Sequence, residues 1–142
     1  MNKRHVPTLE LSQEFDRLCN EKGIVVPMTE YIWVQNDEGE AWFLVANFEL
    51  KGTGSQVWLN APLVSELGEW LPAVIELGSD IGTFSCWKRS DYSPNKEWGC
   101  SYQNSDERAI YYKNDDTEAN ARQMMLNQLI TEGIITTLCQ PT

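Results

Sequence analysis

The sequence predicts an α+β fold in which three helices pack on one mostly antiparallel sheet of about five to six strands. Apolar residues recur with helical spacing near the N-terminus, in the centre and near the C-terminus, and the segments between them resemble strands bounded by turn residues. The chain of 142 residues is long enough for a single domain with a sizeable core. Residues 1–7 are polar and are expected to be loose.

The first helix is predicted from Leu9 to about Lys22, with Thr8 as its N-cap and Gly23 at its end. One face of this helix is apolar, which is typical of a core wall and less often of a docking helix. The apolar residues are Leu11, Phe15, Leu18 and Cys19.

Two strands are expected next, Tyr31–Gln35 and Ala41–Leu50, joined as a hairpin by residues 36–39. The second strand is apolar on both faces, which predicts a central strand or a strand covered on one side by a second subunit. Residues Gln56–Leu59 are expected to add a short strand.

The central helix is predicted to start at Asn60 as its N-cap and to end before Pro72. Three antiparallel strands are expected to follow it, at Ile81–Lys88, Glu97–Gln103 and Arg108–Lys113.

The C-terminal helix carries the strongest local signals. Asp115 followed by Glu118 has the spacing of a capping box, and Gly133 can adopt the left-handed conformation that ends a helix. Ala121, Met125 and Leu129 form an apolar stripe. The stripe predicts burial against the sheet.

Residues that carry chemistry are few. His5 is the single histidine and lies in the expected loose terminus, so no positioned general base is predicted. The carboxylates fall in turns and caps, where solvation explains them. We therefore predict no catalytic residue, no metal site and no cofactor.

Cys86 and Cys100 face each other if their hairpin is centred on Ser93. The pair then forms a bridge, contributes to a metal site or remains as two small buried thiols. The last state is favoured because a zinc site needs closely spaced cysteine pairs, and free cysteine is usually buried.

Aromatic residues are abundant, with six Trp and five Tyr in the chain. Such residues fill cores, and they also line ligand pockets and interfaces. The candidate ligand or interface residues are Trp42, Trp87, Tyr92, Trp98 and Tyr111.

The charge balance restricts the partners. With 21 acidic and 11 basic residues the net charge is −10, which disfavours nucleic acid and anionic membranes as partners. The excess of acidic residues increases solubility or attracts a basic partner protein. Because no signal-peptide pattern or long apolar run is present, we expect a cytoplasmic location with reduced cysteines.

Two segments carry a family resemblance. Asn60–Pro72 contains LGEWLP, and Asp115–Ile135 contains TEANARQMMLNQLITEG. These segments resemble a family of short proteins encoded by phages and other mobile elements, whose aromatic strands are similar to Cys86-Trp87 and Trp98-Gly99-Cys100. The resemblance implies an accessory role and assigns no activity to any residue.

These observations together predict a small non-enzymatic accessory protein that acts by protein binding, with a homodimer as the expected form. The first alternative is a DNA mimic that inhibits a basic host nuclease or regulator. The second alternative is a small-ligand binder with an aromatic pocket, or less readily an enzyme.

Overall fold

The computed structural model describes residues 3–35, 41–46, 57–88 and 97–138. It confirms the α+β class and the three helices, which are α1 (Leu9–Lys22), α2 (Val64–Trp70) and α3 (Glu118–Thr131). The expected single sheet of five to six strands is not matched, because the described strands form two antiparallel sheets of three and four strands. The strands are β1 (Tyr31–Gln35), β2 (Trp42–Ala46), β3 (Trp58–Ala61), β4 (Val74–Leu77), β5 (Asp80–Lys88), β6 (Trp98–Gln103) and β7 (Ala109–Asp115).

The three-stranded sheet has the order β2-β1-β3, so β1 is central. The predicted pairing of β1 with β2 is confirmed, and Trp33 lies between Leu44 and Leu59 in the register. The expectation of a central second strand is wrong for the described part of the chain, where β2 is an edge strand. Residues 36–40 and 47–56, which include the predicted turn and the rest of that strand, lie outside the described residues.

The four-stranded sheet is a meander with the order β4-β5-β6-β7. Strand β4 is absent from the sequence prediction and pairs with β5 through a tight turn at Gly78, whose φ is +61°. Helix α2 lies between β3 and β4 in the chain, and it carries the chain from one sheet to the other.

Helix α1 has the predicted bounds and caps. The Thr8 hydroxyl accepts a hydrogen bond from the Leu11 N–H at 3.5 Å, and Gly23 closes the helix with a φ of +69°. Its buried face includes Phe15, Leu18 and Cys19, which confirms that this helix is a wall of the core.

Helix α3 is the centre of the main core, which we define as the buried residues of the three helices and of the four-stranded sheet face beneath them. Its largest fully buried apolar side chains are Met125, Leu126, Leu129 and Ile130. The predicted N-cap, Asp115, is wrong because this residue still pairs with Trp98 as the end of β7. Thr117 is the N-cap, and its hydroxyl accepts from the Asn120 N–H.

Helix α2 also begins later than predicted, because Asn60 is a residue of β3 and Leu63 is the N-cap. The Glu66 carboxylate accepts hydrogen bonds from the Leu63 N–H at 2.8 Å and from the Glu30 N–H at 3.2 Å. Glu66 therefore joins the start of α2 to the segment that leads into β1.

A smaller N-terminal cluster covers one face of the three-stranded sheet. It consists of Val6, Trp33, Leu59 and Ala61. Residues 3–7, expected to be loose, include a short 3-10 turn at Lys3–His5 and place Val6 in this cluster. The N-terminal residues thus act as a cover for the inner face of the sheet.

Candidate functional site

The predicted aromatic site residues lie on different faces of the two sheets. Trp42 packs at the edge of the N-terminal cluster, whereas Trp98 and Tyr111 pack against the main core. Lys88 pairs with Trp98 in the register, so these two side chains share the inner face of the four-stranded sheet. Successive side chains of a strand point to opposite faces, and Trp87 therefore lies on the outer face. Tyr92 lies outside the described residues.

Trp87 packs over Gly99 on that outer face. A Cβ atom on Gly99 would lie 3.1 Å from the indole ring, so the close approach requires glycine. The ring of Trp87 contacts Tyr112, with the centroids 6.1 Å apart. The structure thus pairs Trp87 with Tyr112 and separates it from Trp98 and Tyr111.

The face of the three-stranded sheet opposite the N-terminal cluster displays two exposed aromatic side chains. Phe43 of β2 and Trp58 of β3 lie directly opposite Val34 of β1 in the register, so the three side chains share one face. Phe43 is 54% exposed and Trp58 is 51% exposed, while Val34 between them is buried. We call Phe43, Val34 and Trp58 the aromatic face.

Cys86 and Cys100 form a second candidate site inside the four-stranded sheet. They are directly paired across β5 and β6, as expected for a hairpin centred on Ser93, and both are free thiols. Their sulfur atoms are 2.9 Å apart. Cys100 is fully buried and Cys86 is half-buried, so one thiol of this dithiol is closer to solvent.

Arg122 of α3 lies beside the dithiol. Its guanidinium is 5.4 Å from the centre of the Phe84 ring, and Phe84 lies on the same face of β5 as Cys86. The Arg122 Nε donates to the Glu118 carboxylate at 2.8 Å, and both side chains are mostly buried. A cation is therefore fixed next to the outer thiol.

The surroundings shift the pKa values of the two thiols in opposite directions. The hydrogen bond with Cys100 lowers the pKa of Cys86, and the Arg122 charge lowers it further, against burial and the Glu118 carboxylate. The same hydrogen bond and burial raise the pKa of Cys100. Burial and the nearby Asp16 raise the pKa of Cys19 to about 12. Cys86 is thus the thiol whose ionisation the surroundings favour.

Two of the clefts that the described residues form bear on the predicted aromatic pocket. One cleft of about 410 Å³ lies between residues 23–28 and 136–138, and the other, of about 300 Å³, lies between α1, α3 and Lys113. Neither of these two clefts is lined by an aromatic residue. The small-ligand alternative gains no support from them and stays a prediction.

The remaining chemical groups of the described residues define no further site. His5 is exposed in the N-terminal turn, and no group of three or more potential metal ligands occurs among the described residues. None of the described helices is long and apolar enough to cross a membrane. A DNA mimic needs carboxylates arrayed on one surface. The described acidic residues are spread over α1, α2, the β6–β7 turn and the start of α3, which does not support such an array, and the DNA-mimic alternative stays a prediction.

Comparisons of the chain with protein-family models, with curated proteins and with solved structures gave no significant match. The resemblance to mobile-element proteins therefore stays a prediction.

Proposed function

We propose that the protein is a small non-enzymatic binding protein whose aromatic face is covered by a second copy of the chain. The observation that supports this proposal is the exposure of Phe43 and Trp58 on either side of buried Val34. Contiguous exposed apolar surface on a small protein commonly marks an interface, and Trp is enriched at such interfaces.

Self-association fits the geometry of this surface. The face is a sheet face, and two copies related by a two-fold axis would bury the same patch in an aligned sheet-on-sheet packing. The sequence feature that predicts a second subunit, the two-sided apolar strand, includes Phe43 itself. An acidic chain of net charge −10 repels its own copy at long range, so apolar contact must supply the attraction.

The size of the attraction follows from the exposed rings. A Phe or Trp side chain buries about 150–250 Å² in full, so half-exposed Phe43 and Trp58 on two copies offer about 300–500 Å² in total. At about 25 cal/mol per Å² this surface contributes about 8–12 kcal/mol. Association itself costs about 4–15 kcal/mol, so we expect a dimer of micromolar affinity or weaker.

Sedimentation velocity over low to high micromolar protein, with reductant present, tests this proposal. The wild-type chain is expected to shift from monomer to dimer, and the double variant Phe43→Ser with Trp58→Ser is expected to remain monomeric. The matched control is Ile81→Ser, which removes an equally exposed apolar side chain (55% exposed) from the other sheet and should dimerise as the wild type does. A wild-type monomer throughout the range would refute the proposal.

The accessory role in a phage or mobile element, implied by the family resemblance, is the biological setting of this proposal. It predicts that the gene lies among phage or mobile-element genes. A gene embedded among core metabolic genes in several genomes would contradict that setting and leave the dimer proposal in place.

A further inference from the structure

We propose that Cys86 and Cys100 are a peroxide-reactive dithiol, in which Cys86 is oxidised first and Cys100 then closes a disulfide. This site is independent of the aromatic face, because it lies in the other sheet. The modification is a disulfide between the two cysteines, and the oxidant is a small hydroperoxide.

The register makes the bridge geometrically accessible. Directly opposed residues of an antiparallel pair have Cα atoms about 4.5 or 5.5 Å apart, depending on the hydrogen-bonding position, and both distances fall within the range found for disulfides. Cys86 and Cys100 are opposed in this way, and their sulfur atoms are already 2.9 Å apart. A bond of about 2.05 Å thus needs a movement of about 0.9 Å.

The surroundings distinguish the roles of the two sulfur atoms. Cys86 is half-buried and lies beside the Arg122 guanidinium, whereas Cys100 is enclosed and receives no solvent. A reactive cysteine needs a stabilised thiolate with some access, and a resolving cysteine needs only to lie within reach of it. The pKa shifts agree with these roles, because the pKa of Cys86 is lowered and the pKa of Cys100 is raised.

The reaction balances with hydrogen peroxide as the oxidant. The Cys86 thiolate attacks one peroxide oxygen, the O–O bond breaks, and the departing hydroxide takes up a proton to give water and Cys86 sulfenic acid. Cys100 then loses its proton and attacks the Cys86 sulfur, and the displaced hydroxide takes up that proton as a second water. Two thiols give two electrons to one peroxide, and a thiol reductant reverses the change.

Partial burial selects the size of the oxidant. Helix α3 carries Arg122 and Glu118 over the β5–β6 pair, so a bulky disulfide such as oxidised glutathione has less access than hydrogen peroxide. We therefore expect direct oxidation by peroxide to be faster than glutathionylation.

Thiol labelling of the full chain in a Cys139→Ser background tests the proposal, because Cys19, Cys86 and Cys100 are then the thiols present. After limited peroxide, denaturation and alkylation, the intact mass should show the loss of two alkyl groups. Peptide mapping should place the bridge at Cys86–Cys100, and reductant should restore both labels. Cys19, a fully buried thiol, is the internal control and should keep its label.

Single variants separate the two roles. In Cys100→Ser, Cys86 should accumulate as sulfenic acid that dimedone traps, whereas in Cys86→Ser the Cys100 thiol should stay reduced. Far-UV circular dichroism checks that both variants fold. Arg122→Met should slow peroxide oxidation of Cys86 severalfold, because it removes the cation that stabilises the thiolate, and Arg122→Lys should restore most of the rate.

Two results would overturn the proposal. The first is retention of both labels at Cys86 and Cys100 under peroxide that oxidises a free thiol such as N-acetylcysteine completely. The second is dimedone trapping at Cys100 in Cys86→Ser at the rate seen for Cys86 in Cys100→Ser, because the two sulfur atoms would then have no distinct roles.

Discussion

Replacing Tyr102 by phenylalanine measures how much one buried hydrogen bond stabilises the fold. Tyr102 is fully buried in β6, and its hydroxyl donates to the Pro72 carbonyl at 2.7 Å, which joins the sheet to the end of α2. Phenylalanine keeps the ring and its contact with Phe84, whose centroid is 5.1 Å away. The substitution therefore removes the hydroxyl while it leaves the packing in place.

The expected loss of unfolding free energy is about 1–2 kcal/mol. A neutral hydrogen bond contributes about 0.5–1.5 kcal/mol net, and a buried acceptor left unpaired costs about 1–3 kcal/mol. Water can reach part of the half-buried Pro72, which keeps the total near the lower figures. With an unfolding entropy of about 2.1 cal/mol/K per residue, the midpoint temperature should fall by about 3–7 °C.

The same variant should change how stability depends on pH. Burial raises the pKa of Tyr102 in the folded state, so as the pH rises the unfolded chain loses this proton first. The contribution of the Tyr102 hydroxyl to the unfolding free energy is complete below the ordinary tyrosine pKa of about 10 and is lost as the pH rises above that value. The advantage of the wild type over Tyr102→Phe should thus be constant at neutral pH and shrink above about pH 10.

Urea unfolding followed by circular dichroism measures both effects. Tyr112→Phe is the matched control, because the Tyr112 hydroxyl accepts a bond from Asn114 at the exposed face and its loss should cost less than about 0.5 kcal/mol. Equal stabilities of Tyr102→Phe and the wild type at neutral pH would refute the reasoning. So would an advantage that does not change in alkaline solution.

Three further substitutions test local features of the fold by urea unfolding. Thr117→Ala removes the N-cap of α3 and should cost about 1 kcal/mol; an unchanged midpoint would contradict the assignment of the cap. Gly99→Ala places a Cβ 3.1 Å from the Trp87 ring and should cost about 1–3 kcal/mol with an altered near-ultraviolet signal, whereas an unaltered signal would show that Trp87 does not cover Gly99. Gly68→Ala in α2 places a Cβ 3.3 Å from the Arg122 guanidinium, which Glu118 and Phe84 hold in place, so it should stabilise by less than the about 1 kcal/mol that alanine gains over glycine in a helix; a gain of that full size would show that Arg122 moves freely.

Local signals predicted some elements fully. The N-cap Thr8 and the closing Gly23 define α1 because both act within one helical turn of the end that they terminate. The hairpin centre at Ser93 placed Cys86 opposite Cys100 correctly, since register follows directly from the centre of a hairpin.

Other features depend on pairing that local patterns do not specify. Asp115 and Thr117 both have the chemistry of an N-cap, and the pairing of Asp115 with Trp98 decides between them. The signal for β4 was present in Gly78-Ser79, which is typical of a two-residue hairpin turn between Val74–Leu77 and β5. The division into two sheets depends likewise on which strands pair, because β4 adds to β5 and does not pair with β3.

The candidate sites were the least predictable part. Alternation along β2 indicates which side chains share a face with Phe43, but not which face the rest of the chain covers. The approach of Arg122 to Cys86 depends on how α3 crosses the sheet. The spacing of residues within the helix does not predict that crossing.

The central place of α3 has a consequence for biosynthesis. This helix follows every described strand in the chain, and its contacts reach back to the N-terminal turn at Lys3–His5 and to Thr8, whose N–H donates to the Asn120 side chain across 112 residues. During translation the inner face of the four-stranded sheet therefore leaves the ribosome before the helix that shields it. The nascent polypeptide thus exposes an apolar sheet face until Ile130 emerges.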